Sequence, residues 1–230
     1  MSEEKHAPKK QRETDIVSEK RTVLYEVVRI LGHIVFHTLM PVRFHNRELV
    51  RKQELPYLLI SNHQHALDPV ILAMMVPHEQ MYFLGKKELG GNKFLKWAMD
   101  HLHCILVDRH NMDMDALRAC MKVIRLKKGL IIFPEGTRHH EGQMEHIENG
   151  TSMIALRGKC PVIPVYLDRK LAFFRRTNVY VGEPIPCDDL LAVGINAATC
   201  EKMHDRIRET FRTMIRETDE AKQEARGKKS

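Results

Sequence analysis

Short apolar runs recur along this chain between stretches of helical periodicity, and that alternation constrains the fold more than any other feature. The runs Tyr57 to Ser61, Met81 to Leu84, Cys104 to Val107, Leu130 to Phe133, Val162 to Tyr166 and Asn178 to Val181 predict strands. Between and after them, Pro69 to Met75, Asn92 to His101, Met112 to Leu126, Thr151 to Arg157 and Thr199 to about Gln223 predict helices. Strand then helix, repeated, predicts an α/β domain with a central mixed, largely parallel sheet flanked by helices, its site in the loops at strand ends. At 230 residues and 43% apolar the chain suits one such domain and excludes wholesale disorder.

The ends read differently from the middle. Residues 1 to 22 are a charged tail with six Lys or Arg and five Asp or Glu, and residues 226 to 230 are a short basic one. From Val23 to Pro41 the chain is apolar except for Glu26, Arg29, His33 and His37, whose spacing gathers them within about 80° of one helical face. A bilayer-spanning role is disfavoured: ten Val, Leu, Ile or Phe gain roughly 4 to 5 kcal/mol, whereas Glu26 and Arg29 cost about 5 to 7. Residues 23 to 41 are therefore expected to be an amphipathic helix lying on a membrane or against the core, ahead of the α/β domain over 42 to 225. The net charge of +7 favours anionic partners, phosphates, nucleic acid or acidic lipid, without choosing among them. Cys104, Cys120, Cys160, Cys187 and Cys200 are an odd, scattered set with no CxxC pair, which argues for a reducing compartment and against a cysteine metal site.

Two segments carry candidate chemistry. The first is Ser61-Asn62-His63-Gln64-His65-Ala66-Leu67-Asp68, at the exit of a predicted strand. A histidine with an aspartate five residues on can be a general base and the carboxylate that orients it. Chance supplies about 0.7 such matches for 14 His in this chain, and there are three: His63 to Asp68, His103 to Asp108 and His110 to Asp115. The second pair is held about 15 Å apart by an intervening strand, and the third sits in a polar approach to a helix. His63 and Asp68 flank a loop between a buried strand and the helix begun at Pro69, although Asp68 also suits an N-cap. His63, His65 and Asp68, with His139, His140 or His146, are a second reading as metal ligands.

The second segment is Phe133-Pro134-Glu135-Gly136-Thr137-Arg138, after the apolar strand beginning at Leu130. Such a turn offers backbone N–H groups, a hydroxyl and a guanidinium, the donors an anion needs, or it is a polar turn with an Arg in solvent.

Taken with Lys86-Lys87-Glu88-Leu89, Ile105-Leu106-Val107-Asp108-Arg109 and Val162-Ile163-Pro164-Val165-Tyr166, these segments resemble, in order and spacing over roughly residues 55 to 185, the 1-acylglycerol-3-phosphate O-acyltransferase family, the PlsC-type glycerolipid acyltransferases. The resemblance implies transfer of a fatty acyl group from acyl-CoA or acyl-carrier protein to the free hydroxyl of lysophosphatidic acid, giving phosphatidic acid. It implies His63 as base, Asp68 as its partner, and Arg109, Glu135, Gly136, Thr137 and Arg138 as the acceptor's binding residues, with Glu135 orienting an Arg or a glycerol hydroxyl. No metal or redox cofactor is implied. The expected partners are a membrane lipid surface, a lysophospholipid acceptor and the acyl donor, with no nucleic acid, at the cytoplasmic face of the cell membrane as a peripheral enzyme. His139 stands where the family often has Ser, and His103 and Leu106 where it often has Gly and Pro, which leaves the acceptor headgroup open. Two other classes are weighed beside this one: a non-catalytic lipid-binding protein, and a metal-dependent hydrolase using His63, His65 and Asp68.

Overall fold

The computed structural model describes residues 21–76, 78–108, 114–136, 144 and 146–227. Seven strands form one sheet: β1 (Val42–His45), β2 (Leu58–Ser61), β3 (Tyr82–Lys86), β4 (Cys104–Val107), β5 (Leu130–Ile132), β6 (Val162–Leu167) and β7 (Thr177–Val181). Their order is β1-β7-β6-β2-β5-β3-β4. Every pairing is parallel except β6 with β7, so the sheet is mixed and largely parallel, as the alternation predicts.

The apolar runs in β2, β5 and β6 are continuous because these strands are covered on both faces, and all their residues are buried. Alternate side chains go to opposite layers. Leu58, Ile60, Leu130 and Ile132 pack with α5 (Met114–Arg125), α6 (Asn149–Gly158) and α8 (Ala197–Gly227), the last contributing Met203, Ile207 and Phe211. Leu59, Ile131 and Ile163 face the other way, onto α3 (Asp68–Met75) and, beyond it, Phe36 of α1 (Val23–Thr38). Since α3 lies between the sheet and α1, it is apolar nearly all round.

Helix α1 does two things at once. Its inner face, with Tyr25, Gly32 and Phe36 buried, packs on α3, and a β-carbon on Gly32 would stand 2.9 Å from Val70 Cγ1, so only glycine permits this approach. Its outer face leaves Val23, Val27, Ile30, Leu31 and Ile34 exposed as one apolar stripe. Thr22 caps the helix, accepting the Tyr25 N–H at 3.2 Å. No helix among the described residues is long and apolar enough to cross a membrane.

Several boundaries differ from expectation. Strand β1 is missed by sequence reasoning because it is a four-residue edge strand with Arg43 and His45 alternating with apolar residues. The short helices α2 (Glu48–Arg51) and α7 (Asp188–Val193) are likewise too brief to show periodicity, as is α4's neighbour, a single 3₁₀ turn at Lys87–Gly90 ahead of α4 (Lys93–His101). Helix α8 continues to Gly227, so the basic tail expected from residue 226 begins inside a helix, sustained by good helix formers up to that glycine. Residues 1 to 20 of the expected charged tail, and 228 to 230, lie outside the described residues.

His103 and Asp108 do not pair. Asp108 meets Lys87 at 3.6 Å, whereas His103, at φ 58° ahead of β4, is buried and stacks on Tyr82 at 4.5 Å. Neither His103 ring nitrogen has a hydrogen-bond partner, and burial, reinforced by the charges of Lys128 and His101, pushes its pKa down to about 4. The unfolded chain, with an ordinary histidine near 6.5, then binds more protons between about pH 6.5 and 4, and stability is lost as pH falls through that window. We expect about 2 to 3 kcal/mol less stability at pH 4.5 than at pH 7 from this residue alone. Urea titrations of the parent and of His103→Phe at both pH values should differ by that slope, and identical losses in the two proteins would remove His103 as the cause.

Candidate active site

The segment from Ser61 to Asp68 leaves β2 and is clamped at once to β6. Asn62 does this with both ends of its amide: Nδ2 donates to Leu167 O at 3.0 Å and Oδ1 accepts Leu167 N–H at 2.9 Å. Gln64 Nε2 donates to the same carbonyl at 3.2 Å. Both residues are buried, and neither was singled out from sequence, because their partner lies about a hundred positions away in a strand whose neighbour the sequence does not reveal.

The chain then bends so that one oxygen collects three donors. Asp68 Oδ2 accepts from His63 Nδ1 at 3.0 Å and from the backbone N–H groups of Gln64 and His65, each at 2.7 Å. Asp68 is fully buried and is the first residue of α3, with Pro69 next; Leu67 occupies the cap position without a side-chain bond. The N-cap alternative for Asp68 is therefore corrected: its carboxylate latches the preceding loop. An ionised carboxylate only accepts, so Nδ1 of His63 carries hydrogen and Nε2 holds the free lone pair, a tautomer assigned from this network. The His63 ring stacks on Phe133, centroids 4.2 Å apart, and remains partly open to solvent.

Glu135 belongs to the same construction. It is buried; Oε2 accepts the His63 N–H and Oε1 the Met144 N–H, both at 3.2 Å. At this depth the carboxylate is held by N–H donors and braces the base's own main chain, a role beside the one expected of it toward an Arg or the acceptor. The turn carrying it closes through Gly136 N–H to Phe133 O at 3.1 Å. Gly136 has φ +68°, the left-handed region that favours glycine, and a β-carbon there would also displace the movable Glu148 side chain, whose Oε1 would stand 2.8 Å away. Arg109, Thr137 and Arg138, with His110, His139 and His140, lie outside the described residues.

His65 does not join His63 and Asp68 as a ligand set. Its Nδ1 accepts the Leu67 N–H at 3.2 Å, while His146 pairs with Glu148 at 3.5 Å on the surface. Among the described residues no three His, Cys, Asp or Glu converge in metal-ligating geometry.

Beside the dyad opens a mostly apolar cavity of about 740 Å³, within the range of small-molecule sites. His63 and Phe133 are in its wall, with Val28 of α1, Val70 of α3, Leu84 of β3 and Met99 of α4. It is lined at Met81, just before β3, and along β3 from Phe83 to Lys86, end points five steps or roughly 16 Å apart at strand rise, so it is long as well as apolar. The arrangement offers a histidine lone pair at an elongated greasy space, with a carboxylate fixed behind the ring.

Comparison with known proteins gives these features relatives. A family model described as Acyltransferase matches residues 41–168. The chain is similar to the 1-acyl-sn-glycerol-3-phosphate acyltransferase of Streptococcus pneumoniae, 27% identical over 181 residues, covering 76% of this chain and 66% of that protein. It is 25% identical over 174 residues to the enzyme of the same name from Bacillus subtilis, covering 70% of this chain and 86% of that one. In fold it is similar to the crystal structure of the 1-acyl-sn-glycerophosphate acyltransferase PlsC from Thermotoga maritima, with TM-score 0.64 and 20% identity over 85% of this chain and 79% of that one.

Proposed function

Since the chain belongs to the acyltransferase family, we propose that it transfers a fatty acyl group from a thioester, acyl-CoA or acyl-carrier protein, to the free hydroxyl of lysophosphatidic acid, giving phosphatidic acid. The observation that carries this reading is the placement of the His63–Asp68 pair, 3.0 Å apart, in the wall of an elongated apolar cavity. A fatty acyl chain fits such a space, and the carbonyl at its end would then lie by the imidazole.

The chemistry follows from the geometry. An alcohol is a weak nucleophile, so His63 Nε2 takes its proton as the oxygen attacks the thioester carbonyl. Asp68 stays ionised and stabilises the imidazolium formed. The tetrahedral intermediate collapses with loss of the C–S bond, the thiolate takes the proton back from His63, and ester and thiol leave. Both reacting groups come from the substrates, so the scheme calls for no acyl-enzyme, metal or redox cofactor. Arg109, Thr137 and Arg138 are proposed to hold the acceptor phosphate, Arg138 through the planar fork that matches phosphate oxygens. Helix α1, with its exposed stripe outward, is proposed to dock the enzyme peripherally on the cytoplasmic face of the membrane, where the acceptor hydroxyl lies.

The reading is tested by incubating purified protein with radiolabelled acyl-CoA or acyl-carrier protein and a panel of lysophospholipids; phosphatidic acid from lysophosphatidic acid is the expected product, and hydrolysis of donor without transfer would overturn it. The cavity makes a separate claim. Gly32→Leu must push α1 off Val70, at a cost of about 1 to 3 kcal/mol, and reshape the space between α1 and α3. We expect a changed preference among donor chain lengths, read from kcat/KM across a saturated series, in a protein still folded by calorimetry. An unchanged profile would take α1 out of the chain-binding wall.

A further inference from the structure

Nine residues join β6 to β7, and their tip holds two aromatic side chains in solvent: Phe173 is 61% and Phe174 76% exposed. The tip is a built turn. Ala172 and Arg175 form a bridge across it, Leu171 anchors its base in the core, and Phe174 takes φ 55°, a left-handed conformation that a bulky residue adopts only at a cost. Its backbone is tied to α1, since Phe174 N–H donates to Leu39 O at 2.7 Å, and β7 is tied just beyond, Thr177 N–H to Pro41 O at 2.9 Å. Leu39, the exposed C-cap of α1, thus sits against the turn, a few residues beyond the end of the helix's apolar stripe at Ile34.

Charge says what fits it. Lys170, Arg175 and Arg176 flank the aromatic pair and are exposed. Arg169 is adjacent, and the single carboxylate of the loop, Asp168, is buried and held by Asn178 and Lys222. An apolar tip inside a cationic rim, tied to the C-terminal end of a helix with an exposed apolar face, complements a bilayer whose headgroups are anionic and whose interior is hydrocarbon. We propose that the Phe173–Phe174 turn is a second lipid-inserting element, which with α1 fixes the angle at which the cavity meets an anionic membrane. The inference rests on the membrane docking of α1 proposed above and adds a residue-level contact that α1 does not supply.

The chain has one tryptophan, Trp97, so a Phe173→Trp substitution in a Trp97→Phe background reports on the turn alone. With vesicles of phosphatidylcholine containing about one third phosphatidylglycerol, Phe173→Trp should blue-shift and be quenched by lipids brominated in their acyl chains. Phe173→Ser/Phe174→Ser should weaken vesicle binding by about tenfold or more, and Arg175→Ala/Arg176→Ala by a similar factor on phosphatidylglycerol vesicles but little on pure phosphatidylcholine. Turnover of a water-dispersed short-chain acceptor should stay at the parent level in both. If the protein binds vesicles while the new tryptophan is unquenched, the second element is overturned and the docking of α1 stands. Failure of the parent to bind vesicles overturns both, and neither result bears on acyl transfer to dispersed acceptor, which is assayed apart. A dimer that dissociates on Phe173→Ser/Phe174→Ser, with vesicle binding unaltered, would make the turn a protein interface and overturn the proposal.

Discussion

His63→Ala is expected to cut turnover by about 10² to 10⁴ while the protein stays folded, because the substitution removes the imidazole lone pair proposed to take the acceptor's proton. The fold should survive for a visible reason. His63 contributes one side-chain hydrogen bond and one ring stack, on Phe133, from a partly open position. When it is gone, Asp68 Oδ2 keeps the Gln64 and His65 N–H groups, and Asn62 still holds the loop to Leu167. The loss should therefore fall on kcat, with the melting temperature moved little. His103→Phe is the control: it changes a histidine of the same spacing motif that stacks on Tyr82 instead, and should leave turnover near the parent value. A folded His63→Ala protein that turns over like the parent would end the general-base assignment.

What could be read from sequence, and what could not, divides along the distance over which each feature is encoded. Strand β4 was legible to the residue because Cys104 to Val107 is a short apolar run bounded by polar residues. The His63–Asp68 pair was legible because a five-residue spacing across one loop nearly dictates contact. The contact of Glu135 with the His63 main chain was not legible, because its partner is 72 positions earlier and is brought near only by the pairing of β2 with β5. Its charge suggested an Arg or substrate partner, and its burial adds a need for backbone donors that the sequence does not locate. Helix α1 was posed as either a membrane helix or a core helix, and the packing of Gly32 on Val70 shows how one helix buries one apolar face and exposes another. The cavity left no sequence signal, being the space that three helices and β3 fail to fill.

Asp68 carries a catalytic and a structural duty, and two substitutions should separate them. In Asp68→Asn the backbone N–H groups of Gln64 and His65 require an oxygen where Oδ2 now stands, so the amide nitrogen must take the position of Oδ1, which is buried without a partner. The oxygen can still accept the His63 Nδ1–H, the tautomer is preserved, and what disappears is the negative charge that stabilises the imidazolium. We expect kcat to fall by about 10² to 10⁴, with stability reduced by about 1 to 2 kcal/mol as charge-assisted hydrogen bonds become neutral ones. Asp68→Ala removes the acceptor outright and orphans two backbone donors as well as the ring nitrogen. At 1 to 3 kcal/mol for each unsatisfied buried donor, partly offset by relaxation, it should cost about 2 to 4 kcal/mol and loosen the loop between β2 and α3. Denaturant titration and single-turnover kinetics on the two proteins give the comparison. Catalysis lost in both, with stability lost mainly in the alanine variant, is the expected pattern; a parent-like kcat in Asp68→Asn would leave Asp68 as a loop latch and His63 without an electrostatic partner.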